Sequence, residues 1–236
     1  MSGKVIGLLA FAVLAGALSK SEAANADAIQ IFSTGVDANG NVLPAGSVDS
    51  HWTVQTEPYD QNDHSITATG PQTFLTDYNG ATYVGSSAYR PNPAAGGLAY
   101  TGIDTAHAGT IAWSANNNSG YAAYTYRTTF NLNGLNPTTA NISLTFFADD
   151  DAELALNGVL IPSTYDFRNG EMTVDLSSGF ISGLNTLDLV TYNEGGAGGG
   201  FVQINSATAT PEPAPLWIMG FGVAALGLAR RRRRAV

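Results

Sequence analysis

The chain contains no cysteine. Disulfides, thiolate metal sites and cysteine nucleophiles are therefore excluded, and the fold must be held by its packed interior alone. Positive charge is the second scarcity. Of the 10 basic residues, seven lie in the terminal segments (Lys4, Lys20, Arg230, Arg231, Arg232, Arg233 and Arg234), whereas of the 19 acidic residues only Glu22 and Glu212 do. Residues 27–210 thus hold three basic side chains (Arg90, Arg127, Arg168) against 17 acidic ones, a formal net charge of −14, with no lysine. Nucleic acid and anionic lipid both need a basic footprint, so this segment repels both. The carboxylate surplus favours solubility and attracts divalent cations. Catalytic signatures are missing too: there is no G-x-S-x-G elbow, H-E-x-x-H helix or phosphate-binding loop. Among so many carboxylates, a pair suited to glycosidic cleavage marks nothing. The chain reads as a non-enzyme.

What is present is most informative at the two ends. Lys4, the apolar stretch 5–18 and Ala24-Asn25-Ala26 form the basic start, apolar middle and A-x-A site of a secretory signal peptide. Cleavage is expected after Ala26, leaving Asp27 as the first mature residue of a chain exported through the Sec translocon and cut by signal peptidase. The apolar stretch of 14 residues is short for a permanent anchor. At the other end stand Pro211-Glu212-Pro213, a 16-residue apolar run (214–229) and five consecutive arginines, Arg230, Arg231, Arg232, Arg233 and Arg234. As a helix the run rises about 24 Å at ~1.5 Å per residue, short against a hydrocarbon core of about 30 Å. Pro215 is tolerated in a first helical turn. The five arginines set the topology: they are expected to stay cytoplasmic, with the rest of the chain outside.

The order and position of these three parts resemble the PEP-CTERM sorting signal of exosortase substrates in Gram-negative bacteria. The resemblance implies an exosortase as partner and a transient membrane anchor through the C-terminal helix. It also implies delivery to the outer surface or extracellular matrix, in a role linked to exopolysaccharide or biofilm. It covers 209–236 and leaves the function of the remainder open.

Residues 27–208 read as an all-β ectodomain. Short alternating runs separated by turn residues follow the period of a half-buried strand. Tyr124 to Phe130 alternates aromatic and polar side chains; Ile142, Leu144 and Phe146 share one strand face, ending at Ala148; Ala152, Leu154 and Leu156 share the next. Asn157-Gly158 signals a tight turn. Leu187 and Leu189 mark another strand after a Gly183-Leu184-Asn185 turn, and the glycine-rich loop Gly195 to Gly200 leads into a last strand from Phe201. Ile29 to Phe32 and Ser50 to Gln55 are strand candidates in the first half. Long loops are expected around 56–110, and Thr208 to Pro215 reads as a linker. The acidic pair Asp149-Asp150, the Asn157-Gly158 turn and the G-x-N-x-L segment 183–187 together resemble a galactose-binding-domain-like jelly roll, the β-sandwich of many carbohydrate-binding modules. That resemblance implies fold more than function.

Candidate sites follow from residue type. Asp149, Asp150, Asp151 and Glu153 form the densest carboxylate cluster, and Ca²⁺ takes six to eight oxygen ligands. Asp149 and Asp151 are expected on one face of a strand, joined by Asn193 or Glu194 from another loop. A solvated turn whose aspartates cap backbone N–H groups is the alternative reading. Asp49, His51, Asp63 and His64 would meet if 48–54 pairs with 60–66; nothing in the spacing demands it, and surface or hydrogen-bonded histidines are the plainer reading. Sugars stack on aromatic faces, and Tyr59, Tyr78, Tyr83 and Tyr89 are the loop candidates for glycan contact. Trp52 and Trp113 lie in apolar alternating stretches and are expected in the core.

Overall fold

The computed structural model describes residues 25–57, 85–90, 105–115, 122–161, 165–166, 170–193 and 195–212. The expected signal segment up to Ala24 and the apolar run 214–229 lie outside the described residues. So do the topology-setting arginines Arg230, Arg231, Arg232, Arg233 and Arg234, whose cytoplasmic placement stays an expectation from sequence. Among the described residues eleven strands form in chain order: β1 (Asp27–Ala28), β2 (Val48–Glu57), β3 (Ser86–Tyr89), β4 (Ala122–Asn131), β5 (Asn141–Asp149), β6 (Asp151–Leu156), β7 (Val159–Leu160), β8 (Tyr165–Asp166), β9 (Met172–Leu176), β10 (Leu184–Asn193) and β11 (Gly199–Ala209). No helix among the described residues is long and apolar enough to cross a membrane. The expected all-β sandwich is the architecture found.

Two antiparallel sheets make it. One has the order β1-β11-β5-β9; the other runs β3-β2-β4-β10-β6-β7, with β8 also paired to β6. From β4 to β6, and again from β9 to β11, successive strands alternate between the sheets. This sheet-switching connectivity is that of a jelly roll, not of a run of hairpins. It creates two ends. The upper end is where β4 starts and β10 finishes (Ala122 opposite Asn193); at the lower end Asn131 stands opposite Leu184. Asp27 opposite Ala209 also belongs to the lower end, because Thr208 pairs with Asn141 at the start of β5.

Period-two alternation explains why these segments pair as they do. Ile142, Leu144 and Phe146 of β5 point inward with Leu176 and Val202, and meet Leu154, Leu156, Leu187 and Leu189 from the opposite sheet in one apolar core. Burying each such Leu or Phe contributes roughly 1.5–3 kcal/mol. The sheets approach closely at Gly200, where an added Cβ would stand 2.6 Å from Leu189 Cδ2. The Asn157-Gly158 turn closes the β6–β7 hairpin with both residues at positive φ, 52° and 78°, which matches a type I′ turn and the right-handed strand twist.

Three expectations need correction. The opening strand is Asp27–Ala28, not Ile29 to Phe32: the ladder with β11 ends in a single bond from the Ile29 N–H to Ala207 O at 2.9 Å, and Ile29 itself is buried. The region 56–110 contains β3, which pairs with the outer edge of β2 and ends at Tyr89, before the proline-rich stretch. Trp52 is fully buried, but Trp113 is 37% exposed. Ile111 bridges to Gly200 of the smaller sheet and Ala112 to Tyr89 of the larger, and Trp113 follows them outside any strand, so strand alternation does not set its side.

Gly200→Ala is expected to destabilise the protein by about 1–3 kcal/mol, the usual cost of overpacking a filled core. Urea unfolding followed by intrinsic fluorescence measures it; an unchanged midpoint would show that Leu189 yields freely.

Candidate functional site

The outward face of the larger sheet is unusually polar for a buried surface. Register places Thr53, Arg127, Asp188 and Ala155 in one cross-strand row, and Gln55, Thr125, Val190 and Glu153 in the next. Toward the upper end follow Ala123, Tyr192 and Asp151. Asp151, Glu153, Asp188, Thr125 and Tyr192 are all buried. Arg127 is one of the few cations of this segment, and it meets Asp188 in a two-point ion pair: Nε donates to Oδ1 at 2.6 Å and Nη2 to Oδ2 at 2.7 Å. The planar guanidinium matches the carboxylate fork, so both charges are satisfied by direction as well as by proximity. In the sequence the pair shows only as one opposite charge in each of two otherwise uncharged strands, 61 residues apart.

The candidate metal residues are distributed differently from the expectation. Asp149 is the last residue of β5, opposite Gly199 in the smaller sheet. Asp151 opens β6, opposite Tyr192 in the larger. The chain changes sheets between them, through a cis Asp149–Asp150 peptide whose Asp150 N–H donates to Tyr192 O at 2.6 Å. Alternation along a single strand therefore does not apply to this pair. Asn193 is buried beside Gly198, and Glu194 lies outside the described residues. Among the described residues no group of three or more His, Asp or Glu side chains is arranged to hold a metal ion.

Asp49 has a structural task. Its carboxylate accepts the backbone N–H groups of Gly35 at 2.6 Å, His51 at 2.8 Å and Trp52 at 3.1 Å. His51 stacks flat on Phe32, with ring centroids 3.7 Å apart. His107 is exposed. Asp63 and His64 lie outside the described residues. Burial pushes the Asp49 carboxyl above its ordinary value of 3.8, against the pull of the three backbone donors.

Of the tyrosines proposed for glycan contact, Tyr89 is half-buried and locked by reciprocal backbone bonds to Ala112 at 2.9 and 2.7 Å. Tyr59, Tyr78 and Tyr83 lie outside the described residues. Among the described residues the aromatic that does face solvent is Trp113, stacked at 6.1 Å and 14° on Tyr124 near the upper end. Neighbouring apolar residues had made it look like core.

The lower end holds the start of the tail. Thr208 and Ala209, expected in a linker, belong to β11. Beyond them Asn136 N–H donates to Thr210 O at 2.7 Å, and Pro211 bridges to Leu135. The Glu212 N–H donates to Gly134 O at 2.8 Å. The Thr139 hydroxyl accepts the Thr210 N–H at 2.9 Å. Asn136 caps the short 3₁₀ turn Pro137–Thr139 that presents these groups. Pro213 lies outside the described residues.

Residues 209–234 match the PEP-CTERM protein-sorting motif, a span that takes in Arg230, Arg231, Arg232, Arg233 and Arg234. The chain carries a PEP-CTERM sorting signal. That signal begins on Ala209, the last residue of β11, so sorting tail and folded domain are continuous. No curated protein matches the chain. Among solved structures the carbohydrate-binding module TmCBM61, in complex with β-1,4-galactotriose, aligns over 69% of this chain and 90% of its own at 8% identity and a TM-score of 0.34. The module CBM35 from Paenibacillus barcinonensis aligns over 42% of this chain and 78% of its own, at 18% identity and a TM-score of 0.26. A β-glucosidase from Kluyveromyces marxianus aligns over 77% of this chain but 20% of its own, at 11% identity and a TM-score of 0.29. These resemblances are partial, and none assigns a ligand to this chain.

Two outcomes follow. Replacing Arg127 or Asp188 alone by alanine is expected to cost about 3–5 kcal/mol, because the remaining charge is stranded in the sheet; Arg127→Met with Asp188→Leu is expected to recover most of it. Urea titration of the three variants checks this. For Asp49, the raised value means that the folded chain holds the proton more tightly than the unfolded one. Its favourable contribution is full below pH 3.8 and is lost as pH rises through the raised value. Stability curves between pH 3 and 7 should therefore lose that component in Asp49→Asn, and identical curves would contradict the assignment.

Proposed function

We propose that this is a non-catalytic protein of the cell surface or extracellular matrix. It is exported through the Sec translocon, trimmed by signal peptidase, held briefly in the membrane by its tail and processed by an exosortase. The PEP-CTERM motif at 209–234 is the observation that carries this reading. The apolar run is marginal as a durable span, which suits a sorting handle that is later removed. In the anchored state the sandwich stands on its lower end.

The upper end then faces away from the membrane, and it is there that the protein contacts exopolysaccharide. Tyr124 lies seven residues along β4 from Asn131, which is about 23 Å at ~3.3 Å per residue. The exposed Trp113 on Tyr124 offers an aromatic surface of the kind that packs on the apolar C–H patches of a sugar. The strongly acidic, lysine-free surface keeps the domain soluble in a polymer-rich medium and draws divalent cations to it, Ca²⁺ among them.

Retention of the purified protein on exopolysaccharide of its own source, with Ca²⁺ present, tests the glycan contact. Wild type is expected to be retained and Trp113→Ala to bind about tenfold more weakly, roughly 1.4 kcal/mol. Equal elution of both with the void volume would leave a structural matrix protein without a glycan ligand.

A further inference from the structure

The lower end bears apolar side chains that folding leaves uncovered. Val159 is 70% exposed, Leu184 60% and Ile181 51%. They do not sit on separate loops. Asn157 Nδ2 donates to Asn185 Oδ1 at 2.9 Å and to Gly179 O at 2.8 Å, and Asn157 Oδ1 accepts the Thr186 N–H at 3.0 Å. Asn185, fully buried, accepts the Ile181 N–H at 2.9 Å and donates to Ile181 O and Gly183 O. Gly183 O in turn accepts the Leu132 N–H at 2.9 Å, and the loop that follows Leu132 holds Glu212 through Gly134. One hydrogen-bonded plate therefore joins the three apolar side chains to the first residues of the sorting signal. A cleft of about 260 Å³, lined in part by Leu156, Val159, Leu160, Ile161 and Leu176, opens on the same end.

The distance to the membrane is set by covalent geometry. Only Pro213 separates Glu212 from the apolar run at 214, so two Cα steps, about 7 Å at most, lead from the plate to its first residue. The headgroup layer of one leaflet is about 5–7 Å thick, from the difference between the full bilayer and its hydrocarbon core. A tail inserted in the bilayer thus brings the plate to the lipid surface.

We infer that Val159, Ile181 and Leu184 form a docking surface for the lipid bilayer, used while the sorting tail is inserted. This inference rests on the reading of the tail as a membrane anchor. The contact is apolar. Among the described residues the arginines are Arg90 and Arg127, set respectively against Leu43 and Thr110 carbonyls and in the pair with Asp188, while Asp175 and Glu212 are exposed at the lower end. Zwitterionic lipid therefore suits the surface and anionic lipid does not. Three side chains with a small apolar area give a contact too weak to hold the protein alone, but the tether makes docking intramolecular.

The absence of native cysteine allows a clean test. Single cysteines replacing Val159, Ile181 or Leu184, and Thr56 as an exposed control near the upper end, are spin-labelled in the full chain and reconstituted in phosphatidylcholine vesicles. Flotation of the vesicles reports insertion; collision with a water-soluble nickel chelate reports docking. The expected result is co-flotation with loss of nickel accessibility at 159, 181 and 184 but not at 56. Co-flotation with all four labels equally accessible overturns the docking surface and leaves the anchor intact. Failure to float overturns both. Shielding at the three sites in detergent-free solution without vesicles would point to a second copy of the chain and also overturn it.

Discussion

The sandwich and its sorting signal share a strand end, and the arrangement of the whole chain depends on that junction. Ala209 is both the last paired residue of β11 and the first residue of the PEP-CTERM match. Thr210, Pro211 and Glu212 are then held by the turn between β4 and β5. Backbone bonds in series leave little slack, so the fold fixes where the tail departs. Because β1 pairs with β11, Asp27 stands at the same end. Both segments expected to be removed during export therefore leave from one side, and the opposite end, with Trp113 on Tyr124, carries neither.

The remainder of the structure supports that geometry without covalent cross-links. Apolar residues of the two sheets meet in one core, and Gly200 permits the close approach that brings β11 against β10. The strands also tolerate charge. Arg127 and Asp188 satisfy one another within the larger sheet, in a segment where cations are scarce. Asn157 and Asn185 brace the lower end with side-chain bonds to one another and to backbone groups of the 179–186 segment. The acidic surplus elsewhere disfavours self-association and anionic surfaces alike, which suits a domain passing through an envelope.

Much of the fold was legible because period-two patterning is strongest where one strand face is buried. β4, β5, β6, β10 and β11 all showed it, and Asn157-Gly158 announced its turn through the conformational needs of a two-residue hairpin. β3 and β9 were not foreseen: β3 is a short edge strand in a glycine- and serine-rich stretch, and β9 exposes alternate side chains beside a polar loop. The acidic cluster misled for a topological reason. Asp149 and Asp151 are neighbours in sequence but belong to different sheets, and a strand-period argument cannot see a sheet change. Trp113 departs from its apolar pattern because its neighbours Ile111 and Ala112 make single bridges to different sheets, not a strand. The sorting signal needed no fold at all, since its order of motif, apolar run and arginines is a linear property. Its docking onto the β4–β5 turn was invisible, because backbone hydrogen bonds leave no trace in composition.

The central claim is that this domain reaches the surface by way of processing at both ends. The intact mass of the protein recovered from envelope and medium tests it most directly. The account predicts a species that begins at Asp27 and lacks Arg230, Arg231, Arg232, Arg233 and Arg234, with its C-terminus near the PEP motif. Recovery only as a species that still contains the five arginines would contradict it.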